Sequence, residues 1–220
     1  MSKTHKGYKV QIWAIYGYYG AGKTLYMVAL ASTVKNSFEE IISNFRLRLD
    51  EVKYVNEISA NTFKNVEKSS LICNSEAYKN IDCRKGMNKH VISLTHELQQ
   101  LRKNGINYIY DCENPMTVDI RLRSITNRYI KAYGTFHDIL KSQRTKNKLE
   151  GLNTVKSICS KKDFWKEYSI EDLRHLFLYQ TFTQNNISST PSNYFFIDGQ
   201  KYYDLYDSEE KIHRGLKDYI

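Results

Sequence analysis

Several features that mark common protein classes are scarce or missing in this sequence. Its four cysteines form no CxxC pair, which gives neither a zinc spacing nor a disulfide framework. The stretch THELQQ lacks the second histidine of an HExxH metal pair, and there is no GxSxG nucleophile elbow. No apolar run approaches the roughly 20 residues that cross a bilayer, so we expect no membrane span.

The amino-terminal stretch MSKTHKGYKVQ does not have the layout of a cleavable signal peptide, because a strand and a glycine loop follow it. We therefore expect a cytoplasmic protein. With 220 residues, the chain is long enough for a single main domain over residues 1–220.

Positive charge is in excess. The chain has 33 Lys and Arg against 24 Asp and Glu, a net charge of +9. Such a surplus favours a polyanionic partner, with nucleic acid as the first candidate. The alternative is charge that serves solubility alone.

The stretch GYYGAGKT, residues 17–24, has the form GxxxxGKT. It follows the strand-like run VQIWAIY and precedes the helical run LYMVALASTV, which is the context that a phosphate-binding loop requires. Lys23 would reach the β- and γ-phosphates of ATP, and the Thr24 hydroxyl would hold Mg²⁺. The alternative is a glycine-rich turn with a solvent-facing lysine. The predicted nucleotide-binding residues are Gly17, Tyr18, Tyr19, Gly20, Ala21, Gly22, Lys23, Thr24 and Leu25.

Strand and helix patterns alternate along the chain. This alternation predicts an α/β fold with a doubly wound, mainly parallel sheet and helices on both faces. Helices are expected over about 23–35 and 88–104 and within 116–126, and strands near 40–45, 69–73, 106–113 and 127–134.

The later part of the chain is harder to interpret. Residues 136–160 hold Lys141, Arg144, Lys146, Lys148 and Lys156 with few apolar residues, so we expect an exposed loop or a small basic insertion around 136–166. The following segment, 161–182, reads as helical in its later part. Residues 194–206 read as a strand, a turn at Asp198 and Gly199, and a second strand, forming a hairpin or an edge addition to the sheet.

The order of several short motifs resembles the viral branch of the FtsK/HerA-like P-loop ATPases, which includes archaeal-virus packaging motors and, as relatives, the Zot-like assembly proteins of filamentous phages. The likeness covers about residues 10–133 and a tail near 195–212. Apart from the phosphate loop the motifs are individually weak, and their order carries the resemblance. They are GYYGAGKT, ISNFRLRLDEV, LICNSEAYKNIDCRK, LTHELQQLRKNGINYIYDCE, VDIRLRSITNRYI and YYDLYD.

In that family the strand before the catalytic site ends in an Asp-Glu pair. The resemblance implies that the Asp orients Mg²⁺ and that the Glu activates the attacking water. This chain has Ser75 and Glu76 at those positions. Ser75 can hold a Mg²⁺-bound water by a hydrogen bond but brings no charge, so weaker metal binding is expected.

The next strand in the family ends in a polar sensor of the γ-phosphate, and the matching position here is Glu113, after Asp111 and Cys112. Three interpretations stay open. The metal-binding carboxylate has moved to Asp111 or Glu113, or catalysis has decayed, or Glu113 is a surface group that caps the turn before Pro115.

The family's VDxRxR stretch matches residues 118–123. The resemblance implies that Arg121 or Arg123 acts across a subunit boundary as an arginine finger. The alternative is a basic helix that pairs with acidic neighbours or DNA phosphates.

The resemblance implies an ATP- and Mg²⁺-dependent translocase that packages a viral genome of double-stranded DNA into a preformed capsid. It would work as a homo-oligomeric ring in the host cytoplasm or on the virion, docked on a capsid protein. Alternatives are a Zot-like morphogenesis ATPase, a nucleotide-dependent DNA-associated scaffold with little turnover, and a small-molecule kinase. Plausible DNA-facing residues are Lys141, Arg144, Lys146, Lys148, Lys161 and Lys162.

Overall fold

Short runs of branched and aromatic side chains form the strands of one mixed sheet, as expected from their preference for extended backbone. The computed structural model describes residues 10–50, 52–85, 88–141, 146–183 and 193–206. The strands are β1 (Ile12–Tyr16), β2 (Glu40–Ser43), β3 (Val52–Tyr54), β4 (Ser70–Asn74), β5 (Asn107–Cys112), β6 (Arg128–Thr135), β7 (Leu176–Thr183) and β8 (Asn193–Asp198).

The sheet has the order β3-β2-β4-β5-β1-β6-β7-β8. The first six strands in this order, from β3 through β1 to β6, are parallel, whereas β7 and β8 are added antiparallel at one side. The carboxyl ends of β4, β5, β1 and β6 therefore open at the same edge, where ligands bind in such sheets.

Helices cover both faces of this sheet. On one face, helix α1 (Lys23–Val34) packs Leu25 and Val28 against Ile15 of β1 in one hydrophobic core. On the other face, helix α3 (Lys89–Asn104) packs Leu94 and Leu98 in a second hydrophobic core. This arrangement confirms the predicted α/β fold with a doubly wound, mainly parallel sheet. The helices are α1 (Lys23–Val34), α2 (Ala60–Lys64), α3 (Lys89–Asn104), α4 (Ile120–Ile125), α5 (Phe136–Lys141), α6 (Lys146–Cys159) and α7 (Phe164–Glu167).

The alternation of side chains along β5 decides which groups reach the α1 face. Tyr108, Tyr110 and Cys112 lie in the core beneath α3, whereas Ile109 lies in the core beneath α1. Because successive side chains of a strand point to opposite faces, Asp111 shares the α1 face with Ile109.

In its described residues, 136–141 and 146–166, the basic segment around 136–166 is mostly helical and not an exposed loop. Helices α5, α6 and α7 occupy most of it, and Phe136, Val155 and Phe164 pack with Leu178 of β7 in a third core. The expectation of a loop was wrong for the described residues, because apolar side chains spread along this segment become buried; the alternative, a small basic insertion, stays a prediction.

Two further predictions for the later chain were wrong. Residues 176–182, in the later part of the segment predicted as helical, belong to β7, because this apolar run is buried between β6 and β8. The predicted second strand of the 194–206 pair is absent from the described residues: Gly199–Lys201 and Tyr203–Leu205 are 3₁₀ turns, and β8 is an edge strand paired with β7. A single domain over 1–220 stays a prediction.

None of the helices in the described part of the chain is both long and apolar enough to pass through a lipid bilayer.

Candidate nucleotide site

The predicted phosphate loop connects β1 to α1. Gly22 immediately precedes α1 and has a φ of 88°, in the left-handed region that glycine adopts without strain. A Cβ at Gly22 would lie 2.5 Å from the Phe177 ring. A side chain at this position is therefore disfavoured by both the backbone conformation and the available space.

Tyrosines from neighbouring strands brace the loop. The Tyr179 hydroxyl donates a hydrogen bond to the Gly22 carbonyl at 2.8 Å. The Tyr18 hydroxyl donates to the Tyr133 carbonyl at 2.6 Å, beside a register shift in β6 at Gly134. Burial raises the pKa of Tyr18 to about 12, so its phenol keeps the proton that makes this bond.

Lys23 is folded back on the loop. Its Nζ donates to the carbonyls of Gly17, at 3.1 Å, and Tyr18, at 3.0 Å. Thr24 follows in the first turn of α1, where helical N–H groups have no partner within the helix. Of the other predicted residues, Ala21 and Leu25 are buried, whereas Tyr19 and Gly20 are exposed.

A buried carboxylate lies where β4 and β5 end. Asp111 is only 2% exposed. Its Oδ2 accepts a hydrogen bond from the Ser75 hydroxyl at 3.1 Å, and its Oδ1 accepts from the Glu76 N–H at 2.5 Å. Burial raises the pKa of Asp111 to about 6, against the opposing effects of the Glu76 N–H, the charge of Lys23 and the Ser75 hydroxyl.

A second group of polar side chains fixes Ser75. The Asn44 Oδ1 accepts from the Ser75 N–H at 2.7 Å, and the Asn44 Nδ2 donates to the Ser75 carbonyl at 2.8 Å. Asn44 also donates to Asn74, which in turn donates to the Tyr108 hydroxyl at 2.6 Å. Neither asparagine was predicted as a site residue, although their positions at or just after the ends of β2 and β4 are a signal that could have identified them.

Glu76 lies at the rim of this polar group. It has a φ of 56°, an uncommon left-handed conformation for a residue with a side chain. Its carboxylate pairs with Lys79 and lies 3.5 Å from the Tyr78 hydroxyl, and the side chain is 46% exposed. The structure thus brings Glu76 next to Ser75 and Asp111 while its carboxylate is engaged at the surface.

Glu113 does not join this polar group but lies on another side of the phosphate loop. It is exposed and lines a cleft of about 430 Å³ together with Gly17, Pro115, Lys131 and other residues. The turn before Pro115 is capped by Asn114, whose side chain accepts from the Met116 N–H, and not by Glu113. The hydrogen bonds from Ser75 and Glu76 at the end of β4 go to Asp111 and not to Glu113.

The two arginines of α4 have different partners. Arg121 binds Asp119 through two hydrogen bonds of 2.8 Å, which lower the pKa of that carboxyl group. Arg123 donates from Nε to the Val118 carbonyl at 3.0 Å and from Nη1 to the sulfur of Met116 at 3.2 Å. Arg121 is therefore committed to a carboxylate, whereas the described contacts of Arg123 are to neutral groups.

The predicted DNA-facing lysines belong to the helical segment between β6 and β7. Lys141 ends α5, and Lys161 and Lys162 form the exposed turn before α7. Lys146 and Lys148 lie in the first turn of α6, and Arg144 lies outside the described residues.

No protein-family model and no curated protein sequence matches the chain. Among solved structures it resembles the N-terminal domain of zonular occludens toxin from Neisseria meningitidis, with 17% identity and a TM-score of 0.58 over 91% of this chain and 100% of that domain. It also matches the genome packaging NTPase B204 from Sulfolobus turreted icosahedral virus 2 in complex with sulfate, with 13% identity and a TM-score of 0.48 over 86% of this chain and 96% of the other. The first of these likenesses establishes the fold.

Proposed function

We propose that this chain is a Mg²⁺-dependent ATPase that acts in the assembly of virus particles. The observation that carries the proposal is the glycine loop between β1 and α1, with Lys23 and Thr24 at the start of the helix. These groups fit Mg-ATP, because phosphates bind backbone N–H groups and a lysine, and Mg²⁺ prefers hydroxyl and carboxylate oxygens.

The chemistry asked of the protein is mainly positioning and neutralisation of charge. Bound Mg²⁺ would neutralise charge on the β- and γ-phosphate oxygens. Lys23 exchanges the carbonyls of Gly17 and Tyr18 for phosphate oxygens. Glu76 accepts the proton of the attacking water once its carboxylate has left Lys79.

The first candidate for the work coupled to hydrolysis is translocation of double-stranded DNA into a preformed capsid by a homo-oligomeric ring. The net charge of +9 and the exposed Lys141, Lys161 and Lys162 support contact with phosphates, which is the contact that a sequence-independent motor needs. Arg123 is the better candidate for the arginine finger, because Arg121 is already bound to Asp119.

The second candidate is a Zot-like ATPase of virion morphogenesis. It is favoured by the likeness to the N-terminal domain of zonular occludens toxin, which extends over the whole of that domain. Both candidates share the nucleotide chemistry and differ in the response to DNA.

Steady-state ATP hydrolysis, measured with Mg²⁺ in the presence and absence of double-stranded DNA, tests this proposal. Hydrolysis that DNA stimulates, and that Lys23→Ala abolishes, supports the translocase. Hydrolysis that DNA leaves unchanged favours the morphogenesis ATPase. ATP binding without turnover in either condition contradicts an ATPase and leaves a nucleotide-dependent scaffold. The structural basis would be the ion pair with Lys79, which keeps the Glu76 carboxylate from acting as a base.

A further inference from the structure

Asp111 is a buried carboxylate whose two hydrogen-bond donors are neutral. It is 2% exposed, and it accepts from the Ser75 hydroxyl and the Glu76 N–H. Burying a charged group is costly unless it is paired with an opposite charge or bound to a metal. Such a group beside a ligand site is a candidate for a functional role.

The position of Asp111 in the sheet directs it toward the phosphate loop. β5 is hydrogen-bonded to β1, and Asp111 lies opposite Ile15, two residues before Gly17. Asp111 also shares the α1 face of the sheet, and Lys23 acts on it electrostatically. The carboxylate therefore lies on the side where α1 begins with Lys23 and Thr24.

We infer that Asp111 on β5 supplies the Mg²⁺-orienting carboxylate that position 75 on β4 lacks. Ser75 acts as its positioning residue, because its hydroxyl donates to Oδ2 and so fixes the carboxylate. Asp111, directly or through a water, and the Thr24 hydroxyl hold the metal. The inference rests on the proposed nucleotide site and identifies the residue that completes it.

Glu113 is the other acidic residue near the end of β5, and the structure separates the two. Glu113 is exposed in the cleft that Gly17 and Tyr18 of the loop also line and, among the described contacts, makes no hydrogen bond to Ser75 or Glu76, whereas Asp111 is buried and bonded to both. Glu113 therefore provides a matched control: it belongs to the same segment and carries the same charge, but it is not expected to bind the metal.

The test is calorimetric binding of ADP in excess MgCl₂ and in EDTA, with wild type, Asp111→Asn and Glu113→Gln. We expect Mg²⁺ to tighten ADP binding by wild type and Glu113→Gln. In Asp111→Asn this gain should fall by about 10- to 100-fold, the usual loss when a group that supports a metal is changed. Affinity in EDTA should be unaffected. Electron paramagnetic resonance of Mn²⁺ with ADP should show the same order of metal affinities.

A Mg²⁺ gain that Asp111→Asn retains overturns the inference and leaves the proposed function intact. Equal ADP affinity of the wild type in Mg²⁺ and in EDTA also overturns the inference and leaves the proposed function intact. A wild-type protein that binds no nucleotide in either condition overturns both.

A second variant guards against simple misfolding of Asp111→Asn. Ser75→Asp alone places a second carboxylate beside Asp111, and because a bound cation relieves the repulsion between the two charges, its Mg²⁺ gain should be at least that of wild type. Ser75→Asp combined with Asp111→Asn returns the carboxylate to β4 and should restore the Mg²⁺ gain. A double variant with no Mg²⁺ gain contradicts the inference.

Discussion

The two flanks of the phosphate loop are built from different kinds of side chain. The β6–β7 flank consists of aromatic rings and glycine: Tyr133, Gly134, Phe177 and Tyr179. The β4–β5 flank consists of polar groups joined by hydrogen bonds, Ser75, Glu76 and Asp111, and Asn44 from the end of β2 is bonded to Ser75. The first flank contacts the loop through ring packing, the Tyr179 hydroxyl and the Tyr133 carbonyl, which accepts from Tyr18, and the second faces the loop with a buried carboxylate. This difference indicates that one flank sets the shape of the loop and the other supplies its chemistry.

Lys23→Ala removes the group between the two flanks and should have the largest effect. We expect ATP hydrolysis to fall by at least about 100-fold, since a preorganised charge that stabilises the transition state is lost. The matched control is Lys35→Ala, an exposed lysine at the other end of α1. Equal activity of the two variants in a steady-state assay would show that Lys23 has no catalytic role.

Gly134→Ala should damage the β6–β7 flank. A Cβ at Gly134 would lie 2.0 Å from the Tyr18 hydroxyl oxygen, at a φ of 99°. The collision and the backbone strain should lower the free energy of unfolding by about 2 to 4 kcal/mol in urea denaturation.

Two controls separate collision from strain at Gly134. Gly20→Ala has a φ of 75° with open space around the added Cβ, so it reports strain alone. Tyr18→Phe in the Gly134→Ala background removes the colliding oxygen and should recover part of the loss. A loss no larger than that of Gly20→Ala would refute the collision.

Asp111→Asn should raise the free energy of unfolding, whereas Gly134→Ala should lower it. In nucleotide-free protein at pH 7 we expect a gain of about 1 to 2 kcal/mol, because a buried charge is removed while an amide oxygen still accepts weaker hydrogen bonds. Thermal unfolding in EDTA measures it, with Glu113→Gln as the neutral control. A variant less stable than wild type at pH 7 would show that the carboxylate is structural.

The pH dependence of this gain follows from the pKa of Asp111. Its folded value of about 6 exceeds the ordinary 3.8, so the folded state binds the proton more tightly than the unfolded chain. Wild-type stability from this group therefore rises as pH falls from about 6 toward 3.8, and the advantage of Asp111→Asn should shrink over that window. A difference independent of pH would contradict a charged Asp111 at neutral pH.

Tyr179→Phe tests the contribution of a single hydrogen bond between the β6–β7 flank and the loop. It deletes the 2.8 Å hydrogen bond to the Gly22 carbonyl and keeps the ring. We expect a loss of about 1 kcal/mol in the free energy of unfolding. A loss from Tyr179→Phe as large as that from Gly134→Ala would mean that the hydroxyl, and not the packing, fixes the loop.

The sequence predicts one flank of the site better than the other. Local patterns indicated the phosphate loop and α3, because each depends on neighbouring residues in the chain, whereas Ser75 and Glu76 were named from the family resemblance. The bracing by Tyr179 was missed because β7 was predicted as a helix. A continuous apolar run such as LFLY carries no period that distinguishes a buried strand from a helix.

The carboxylate of the β4–β5 flank could be named from the sequence only as one of two candidates. Asp111 and Glu113 are two residues apart, and the choice depends on the register of β5 with β1 and on the contacts of β5 with the end of β4. Those are tertiary facts. Asn44 was missed for the same reason, since its bonds to Ser75 join residues 31 positions apart.

The most direct test of the division between the two flanks is a crystal structure with Mn²⁺ and a non-hydrolysable ATP analogue. We expect an anomalous Mn²⁺ peak at the Thr24 hydroxyl, bonded to Asp111 directly or through one water. The phosphates of the analogue should lie in the loop, and the hydrogen bonds of Tyr18 and Tyr179 should be unchanged. Mn²⁺ bound by Glu113 or Glu76 without Asp111, or a nucleotide bound away from the loop, would contradict it.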